Sequence, residues 1–171
     1  MWEEIAGRAA SESALWEDAL LPAEHWRREP VFSPLGPAHH ALGLETIYEG
    51  YLVHYGSPRL FASRDADTGL LLGDYLYAHG LVRVAEAGDV VAVADLAELI
   101  SLCAQGRADG RDGDGLAWAA TAALLGAGGL HAARDRLRVD GVGEDLEQCA
   151  RTAVGSEAVD AALAAHAHLV G

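Results

Sequence analysis

The sequence predicts an all-α fold of six or seven helices, and two observations carry that prediction. Apolar residues recur at the spacing of one helix face, most clearly in the segment Val90–Gln105. No run of alternating apolar and polar residues is bounded by turns at both ends, as a half-buried strand would be. The chain of 171 residues is long enough to bury a sizeable core, so we expect residues 1–171 to form a single domain.

Residues that start or stop helices bound each expected element. The prolines between residues 21 and 37 forbid a continuous helix there. Gly56-Ser57-Pro58 ends the second helix, and Asp89 is a suitable N-cap for the fourth. The segment 106–115, GRADGRDGDG, is expected to be a flexible loop, and glycines at 126–129 can kink the helix after it. The expected helices are 2–20, 38–55, 70–87, 90–105, 116–137, 144–154 and 156–170.

Charge and hydropathy argue against two classes of partner. The net charge is −14, and all twelve basic residues are arginines scattered along the chain. Binding to nucleic acid or to an anionic membrane needs a basic face, which this pattern does not supply. No apolar run reaches the ~18 residues of a membrane-spanning helix, and the acidic first twenty residues are unlike a signal peptide. We therefore expect a soluble, cytoplasmic protein with no membrane insertion and no nucleic-acid partner.

Residue types that hold metals or act as nucleophiles occur without the usual spacing. The eight histidines form no H-x-x-x-H pair, and Cys103 and Cys149 form no C-x-x-C pair, which disfavours zinc or haem. Buried reduced thiols are favoured over a disulfide. The segment 109–115 lacks the spacing and the closing glutamate of a calcium loop, and no serine lies in a nucleophile elbow. We expect no metal, no cofactor and no catalytic residue.

The segment Leu70–Ala87 is apolar almost all the way round. Such a helix must be buried in the core or in a subunit interface. Asp67 is expected as its N-cap, and the equally apolar segment Val90–Ala104 follows it to form a helical hairpin suited to an interface. The main polar positions of the first helix are Asp74, His79, Arg83 and Glu86.

Leu72-Gly73-Asp74-Tyr75-Leu76 and Glu45–Gly56 are similar to two motifs of a known family, the trans-isoprenyl diphosphate synthases. The first matches the Gly-Asp-Tyr-Leu-Leu helix of that family, and the second matches the helix that carries its first aspartate-rich motif. Ala120–Leu125 resembles its Lys-Thr-Ala-x-Leu segment. The resemblance covers about residues 27–125 and implies a shortened isoprenoid synthase fold. In the second segment, the positions that agree in kind are Glu45, Ile47, Leu52, Val53 and His54.

The phosphate-handling positions of that family are replaced in this chain. Its two aspartates fall on Tyr55 and Gly56. Its lysine falls on Ala120, and an arginine of its basic segment falls on Glu29. Synthases hold magnesium with facing carboxylates and hold the diphosphate with Lys and Arg side chains. Since residues 139–171 do not reproduce the second aspartate-rich motif either, the resemblance implies a fold that is kept and a chemistry that is lost.

The leading hypothesis is therefore a non-catalytic partner or regulatory subunit of a full-length prenyl diphosphate synthase. In that family, subunits dimerise through the Gly-Asp helix and the helix after it, so the resemblance implies a homodimer or a heterodimer. An alternative within the same family resemblance is an enzyme of altered chemistry that uses His54, Asp74 and Tyr55 without a metal. This last hypothesis has the least support, because the sequence cannot show that these side chains meet.

A second hypothesis is a binding protein for an apolar, isoprenoid-like ligand. Its interhelical cavity would be lined by tyrosines, namely Tyr48, Tyr51, Tyr55, Tyr75 and Tyr77. His54 and His79 would border this cavity or the dimer face, although hydrogen-bonded core histidines are the simpler interpretation. The candidate ligand-binding residues are Tyr48, Tyr51, His54, Tyr55, Asp74, His79 and Thr121. The helices at 144–170 complete the expected domain, with an unassigned role.

Overall fold

A computed structural model of the chain describes residues 1–170, which contain nine α-helices. Three short 3₁₀ turns lie between residues 23 and 40. The described residues form no β-strand, and Leu20 and Phe61 make a single antiparallel bridge. The all-α prediction is confirmed, with more helices than the six or seven expected. The helices are α1 (Trp2–Glu12), α2 (Ala14–Asp18), α3 (Ala41–Tyr55), α4 (Ala66–Glu86), α5 (Val90–Ala108), α6 (Asp114–Ala123), α7 (His131–Asp140), α8 (Glu144–Val154) and α9 (Ser156–Val170).

Two of the expected helices are each divided in two. The segment 2–20 breaks at Ser13, whose extended backbone (φ −154°, ψ 137°) cannot continue a helix and whose hydroxyl caps α2. The segment 116–137 breaks between α6 and α7. There the chain passes through Gly126, Gly128 and Gly129, whose positive φ angles suit glycine far better than other residues. These two breaks account for the two additional helices.

The helix ends elsewhere lie close to the predicted positions. Asp89 caps α5 as expected, since its carboxylate accepts a hydrogen bond of 2.9 Å from the amide of Ala92. The expected N-cap of α4 is wrong, because Asp65 rather than Asp67 accepts the bond from the amide of Thr68. The loop after α5 is shorter than expected and spans only residues 109–113. Helices α8 and α9 have the predicted bounds.

Helices α3 and α4 pack antiparallel, with their backbones in direct contact at two levels. A Cβ atom on Gly80 would lie 2.8 Å from the carbonyl oxygen of Gly43. One on Gly50 would lie 2.9 Å from the carbonyl oxygen of Gly73. The two glycines of each helix are seven residues apart and so share one face. We call this contact the glycine seam. It places α3 in the middle of the domain.

The helix that is buried on every side is α3, whose residues from Gly43 to Leu52 are all buried. By contrast, α4 exposes Leu70, Leu71 and Val82, each by more than half. The prediction that Leu70–Ala87 is buried therefore holds for one side of α4 only. The sequence did not predict the burial of α3, because this helix contains two glutamates and nothing local shows that they have a buried partner.

Those two glutamates, Glu45 and Glu49, hold the buried guanidinium of Arg59. The Nη1 of Arg59 donates to Glu45 at 2.6 Å, and its Nε donates to Glu49 at 2.9 Å. The second oxygen of Glu45 accepts two backbone amides from the loop before α3, and that of Glu49 accepts two from the connection after α3. This cluster fixes both flanking segments to the helix.

The rest of the core has two parts. The larger surrounds α3 with residues of α5, α6, α8 and α9, and its largest side chain is Trp118 of α6. The smaller joins α1 and α2 to the start of α4 through Trp2, Trp16 and Leu72. Within residues 1–170, no helix has the length and apolar character needed to cross a membrane.

Candidate functional site

Three of the predicted site residues, Tyr48, Tyr51 and Tyr55, follow one another along α3. Their ring centroids are 5.8 Å apart for the first pair and 5.3 Å for the second. Trp118 packs edge-on against Tyr48 and Tyr51, at 5.0 and 5.6 Å, and Phe32 packs against Tyr48 at 5.1 Å. Since Tyr48 and Tyr51 have no exposed surface, protein side chains fill the space around them.

The hydroxyl of Tyr51 belongs to a partly buried polar cluster between three helices. It donates a hydrogen bond to Asp114, the first residue of α6. Arg107, near the end of α5, donates from Nε to the same carboxylate oxygen at 2.7 Å and from Nη2 to the tyrosine hydroxyl at 2.7 Å. The guanidinium also lies over the rings of Tyr51 and Tyr55, which favours its charge there. These contacts tie α3, α5 and α6 together.

His166 of α9 joins the same cluster from the other side. Its Nδ1 is 2.9 Å from the hydroxyl oxygen of Tyr48, and its Nε2 is 3.6 Å from the carboxylate of Asp114. The imidazole therefore links α9 to both α3 and α6. We call these residues the α3 polar cluster, and its members are Tyr48, Tyr51, Arg107, Asp114 and His166.

The environment of the α3 polar cluster sets the protonation of its members. Burial raises the pKa of Tyr48 and of Tyr51, so both hydroxyls stay neutral. Burial would also raise the pKa of Asp114, but the nearby imidazole of His166, the hydrogen bond from Tyr51 and the charge of Arg107 outweigh it and hold that pKa well below its usual range. A carboxylate that is compensated by a guanidinium and lies beside neutral tyrosines is typical of a polar network that stabilises the packing of helices.

His54 and Asp74 face each other where α3 leaves the core. The His54 Nε2 lies 3.2 Å from Asp74 Oδ1, but the two atoms are not aligned for a hydrogen bond. Gly73 makes room for the imidazole, because a Cβ atom there would collide with the ring. Burial lowers the pKa of His54, and the charge of Asp74 offsets this only in part. A neutral imidazole can accept a proton, although the 66% exposure of the Asp74 side chain weakens the pair.

Two predicted site residues lie away from the tyrosines of α3. His79 stacks on Tyr75 at 5.5 Å and accepts a hydrogen bond from Arg83, on the side of α4 that faces α1. Thr121 is buried in α6 and accepts a hydrogen bond of 3.0 Å from Arg134. The structure therefore brings together Tyr48, Tyr51, Tyr55 and His54, and places Asp74 beside His54, whereas His79 and Thr121 lie elsewhere.

Sequence reasoning missed Arg107, Asp114 and His166. Asp114 falls in the segment expected to be a flexible loop, and its partner Tyr51 is 63 residues away. His166 is 118 residues from Tyr48. The local signal for the contact between Arg107 and Asp114 was an arginine in the last turn of one apolar helix and an aspartate at the start of the next. Within residues 1–170, no three or more His, Cys, Asp or Glu side chains are grouped so as to hold a metal ion.

The outer side of the α4–α5 hairpin carries an exposed apolar stripe. Leu71 is 55% exposed, Val82 is 53% exposed and Val90 is 78% exposed. On α4, Leu71, Ala78 and Val82 are spaced by seven and four residues and so share one side of the helix, which also carries the exposed Asp74. Exposed apolar patches of this kind mark interaction sites in folded proteins. We call these residues the α4–α5 face, and its members are Leu71, Ala78, Val82, Val90, Val91, Ala94 and Ala97.

The chain matches no protein-family model, no curated protein and no solved structure. The resemblance to the trans-isoprenyl diphosphate synthases therefore stays a prediction. The function must be inferred from the α4–α5 face, the α3 polar cluster and the charges around them.

Proposed function

We propose that this chain is a non-catalytic, isoprenoid-synthase-like subunit that binds a full-length prenyl diphosphate synthase through the α4–α5 face. The observation that carries the proposal is the exposure of Leu71, Val82 and Val90 on two adjacent helices. Interface cores are depleted of charged residues. The seven residues of this face are all alanine, valine or leucine, and Asp74 is the exposed acidic residue between Leu71 and Val82. The proposed interface is thus the same helical hairpin that the resemblance assigns to dimerisation.

The end of α3 supports a non-catalytic role. The resemblance places the magnesium-binding aspartates at Tyr55 and Gly56, and neither residue offers a carboxylate oxygen. Arg107 lies beside this position, but Asp114 and the hydroxyl of Tyr51 already take up its Nε and Nη2 donors. A diphosphate leaving group needs several uncompensated cations. This part of the chain supplies a neutral tyrosine and a paired arginine instead.

The packing of the interior supports the same conclusion. A prenyl synthase has to hold an extended apolar chain between its helices. In this protein the corresponding side of α3 is covered by Trp118 and Phe32, which contact the fully buried Tyr48. Interiors packed in this way do not open without a large loss of contact energy. The proposed role of the subunit is therefore to stabilise or shape its catalytic partner.

Charge favours a different protein over a second copy as the partner. Each copy carries a net charge of −14, so two copies repel one another over their whole surfaces. The apolar face itself offers no cation to compensate that repulsion. A partner with a less negative surface would avoid it and would associate faster.

The test is to mix the chain with a prenyl diphosphate synthase from the same source and measure mass by light scattering after gel filtration. We expect a heteromeric complex with the native chain. Val82→Glu should weaken it at least about tenfold, since a buried unpaired charge opposes binding by more than 1.4 kcal/mol. Leu15→Glu is the matched control, because Leu15 is 55% exposed on α2, outside the α4–α5 face.

Three outcomes would overturn the proposal. One is the absence of any complex with the synthase. Another is equal weakening by Val82→Glu and Leu15→Glu, which would show that the α4–α5 face is not the site. The third is a stable homodimer, of twice 17.9 kDa, that does not dissociate when the synthase is added. A second copy would then be the partner.

A further inference from the structure

A groove with a volume of about 450 Å³ lies beside α9, between its C-terminal half and the segment that precedes the 33–35 turn. Small-molecule sites in proteins usually occupy roughly 300–1,000 Å³. Val31, Ala165 and Leu169 supply its aliphatic walls. None of the residues that line it belongs to the α4–α5 face. We call it the α9 groove.

Arg27 stands at the rim of the α9 groove with its guanidinium already positioned. Its Nη2 donates to the carbonyl oxygens of Ser57 and Pro58, both at 2.9 Å. These bonds hold the side chain in place and leave Nε and Nη1 without an acceptor among residues 1–170. A guanidinium held in this way keeps its charge and the donors on Nε and Nη1 for an anion, and hydrogen bonds from a charged donor are the stronger kind.

Arg27 is also unusual among the arginines of this acidic chain. Within residues 1–170, nine of the twelve arginines lie within 4.0 Å of an Asp or Glu oxygen. Arg27 is one of the three that do not. Arg59 also borders the groove, but Glu45 and Glu49 neutralise it. The groove therefore contains one guanidinium that is available to an anion from outside the chain.

The other rim residues limit the charge of that anion. Glu29 is exposed on the same rim, so a phosphate or diphosphate with two or more charges would be repelled. A single carboxylate satisfies Arg27 with less repulsion. The walls are aliphatic, and His168 is the only ring among the lining residues, which suits an alkyl chain better than an aromatic group.

We propose that the α9 groove binds an aliphatic monocarboxylate, with the head group on Arg27 and the alkyl chain against Val31, Ala165 and Leu169. This site is independent of the partner subunit proposed above, because the two use different surfaces. Loss of one would leave the other intact. Its failure can therefore be told apart from failure of the proposed function.

The test is isothermal titration of the full chain with decanoate, below the concentration at which decanoate forms micelles. We expect saturable binding that decan-1-ol reproduces only weakly. Arg27→Gln should weaken decanoate binding about tenfold, as the loss of a charge-assisted pair does. Glu29→Gln should strengthen it. Arg8→Gln is the matched control, because Arg8 also lacks a carboxylate partner among the described residues but lies on α1, outside the groove.

A second variant keeps the proposal testable if Arg27→Gln unfolds through loss of the Ser57 and Pro58 contacts. Ala165→Trp fills the groove from α9 and leaves Arg27 and its contacts with Ser57 and Pro58 in the sequence, and it should abolish binding while circular dichroism shows native helix content. The proposal is overturned if decanoate does not bind. It is equally overturned if Ala165→Trp binds like the native chain, or if Val82→Glu on the α4–α5 face is the variant that loses binding.

Discussion

Helices α3 and α4 share the glycine seam, yet their other sides meet opposite surroundings. α3 is buried on every side and still contains the charged residues Glu45 and Glu49. α4 is buried on one side only and exposes Leu71 and Val82 on the other. A buried charge and an exposed apolar patch are the two placements that need an explanation in a folded protein.

Contacts within the chain explain the buried charges of α3 but do not explain the exposed apolar residues of α4. On α3, Arg59 and four backbone amides satisfy the two carboxylates completely. On α4, nothing within residues 1–170 covers the outer stripe. The buried polar groups therefore serve the fold, whereas the exposed apolar groups point to a partner. Substitutions on each helix should have correspondingly different effects on stability.

The largest effect on stability is expected for Arg59→Met, which removes the counter-ion of the two buried glutamates on α3. Methionine keeps much of the length of the side chain but leaves Glu45 and Glu49 buried without a counter-ion. Breaking a buried ion pair from one side lowers the free energy of unfolding by about 3–5 kcal/mol. Chemical denaturation followed by circular dichroism measures this change.

Arg8→Met serves as the control, since Arg8 is exposed on α1 and a surface substitution of this kind changes stability by about 0.5 kcal/mol or less. If Arg59→Met lowered stability by less than about 1 kcal/mol, the carboxylates would have another source of compensation. The contrast between the two helices would then lose its physical basis.

A smaller loss of stability is expected for Gly80→Ala, which places a methyl group in the glycine seam. The added methyl group would lie 2.8 Å from the carbonyl oxygen of Gly43, so α3 and α4 must move apart. Overpacking of this kind typically destabilises by about 1–3 kcal/mol. Thermal and chemical unfolding of the variant would give the value.

Gly7→Ala is the matched control for the seam. Gly7 lies on α1 with no atom within 4 Å of its Cβ position, so alanine should stabilise that helix by about 0.5–1 kcal/mol. Opposite signs for the two substitutions would support the seam as a close backbone contact. Stabilisation by both would show that the helices separate easily, and that α3 owes its burial to other neighbours.

The sequence predicts the local features of this fold better than its long-range contacts. Prolines, glycines and the N-cap Asp89 placed most helix ends within a few residues, because these signals act within one turn. The break at Ser13 was missed, since serine also occurs inside helices. The complete burial of α3 was not predicted, because the seam depends on glycines that contact glycines about twenty to forty residues away.

The candidate site was predictable to a similar extent. Tyr48, Tyr51 and Tyr55 share a helix, so their proximity follows from helical spacing alone. Their partners Asp114 and His166 come from α6 and α9, and no local pattern indicates which distant residue completes a polar cluster. The same limit applies to Arg27, whose environment depends on the placement of α9.

The smallest expected effect concerns His54, at the point where α3 emerges from the core. Burial lowers its folded-state pKa below the ordinary value of about 6.5, so the unfolded chain binds the proton more readily. The contribution of His54 to stability is therefore present above about pH 6.5 and is lost as the pH falls from there towards the folded-state pKa. His54→Gln should lose less unfolding free energy than the native chain over this interval, whereas His25→Gln, at an exposed position, should follow the native chain. An unchanged slope in His54→Gln would mean that the imidazole is effectively solvated, and that α3 leaves the core before His54.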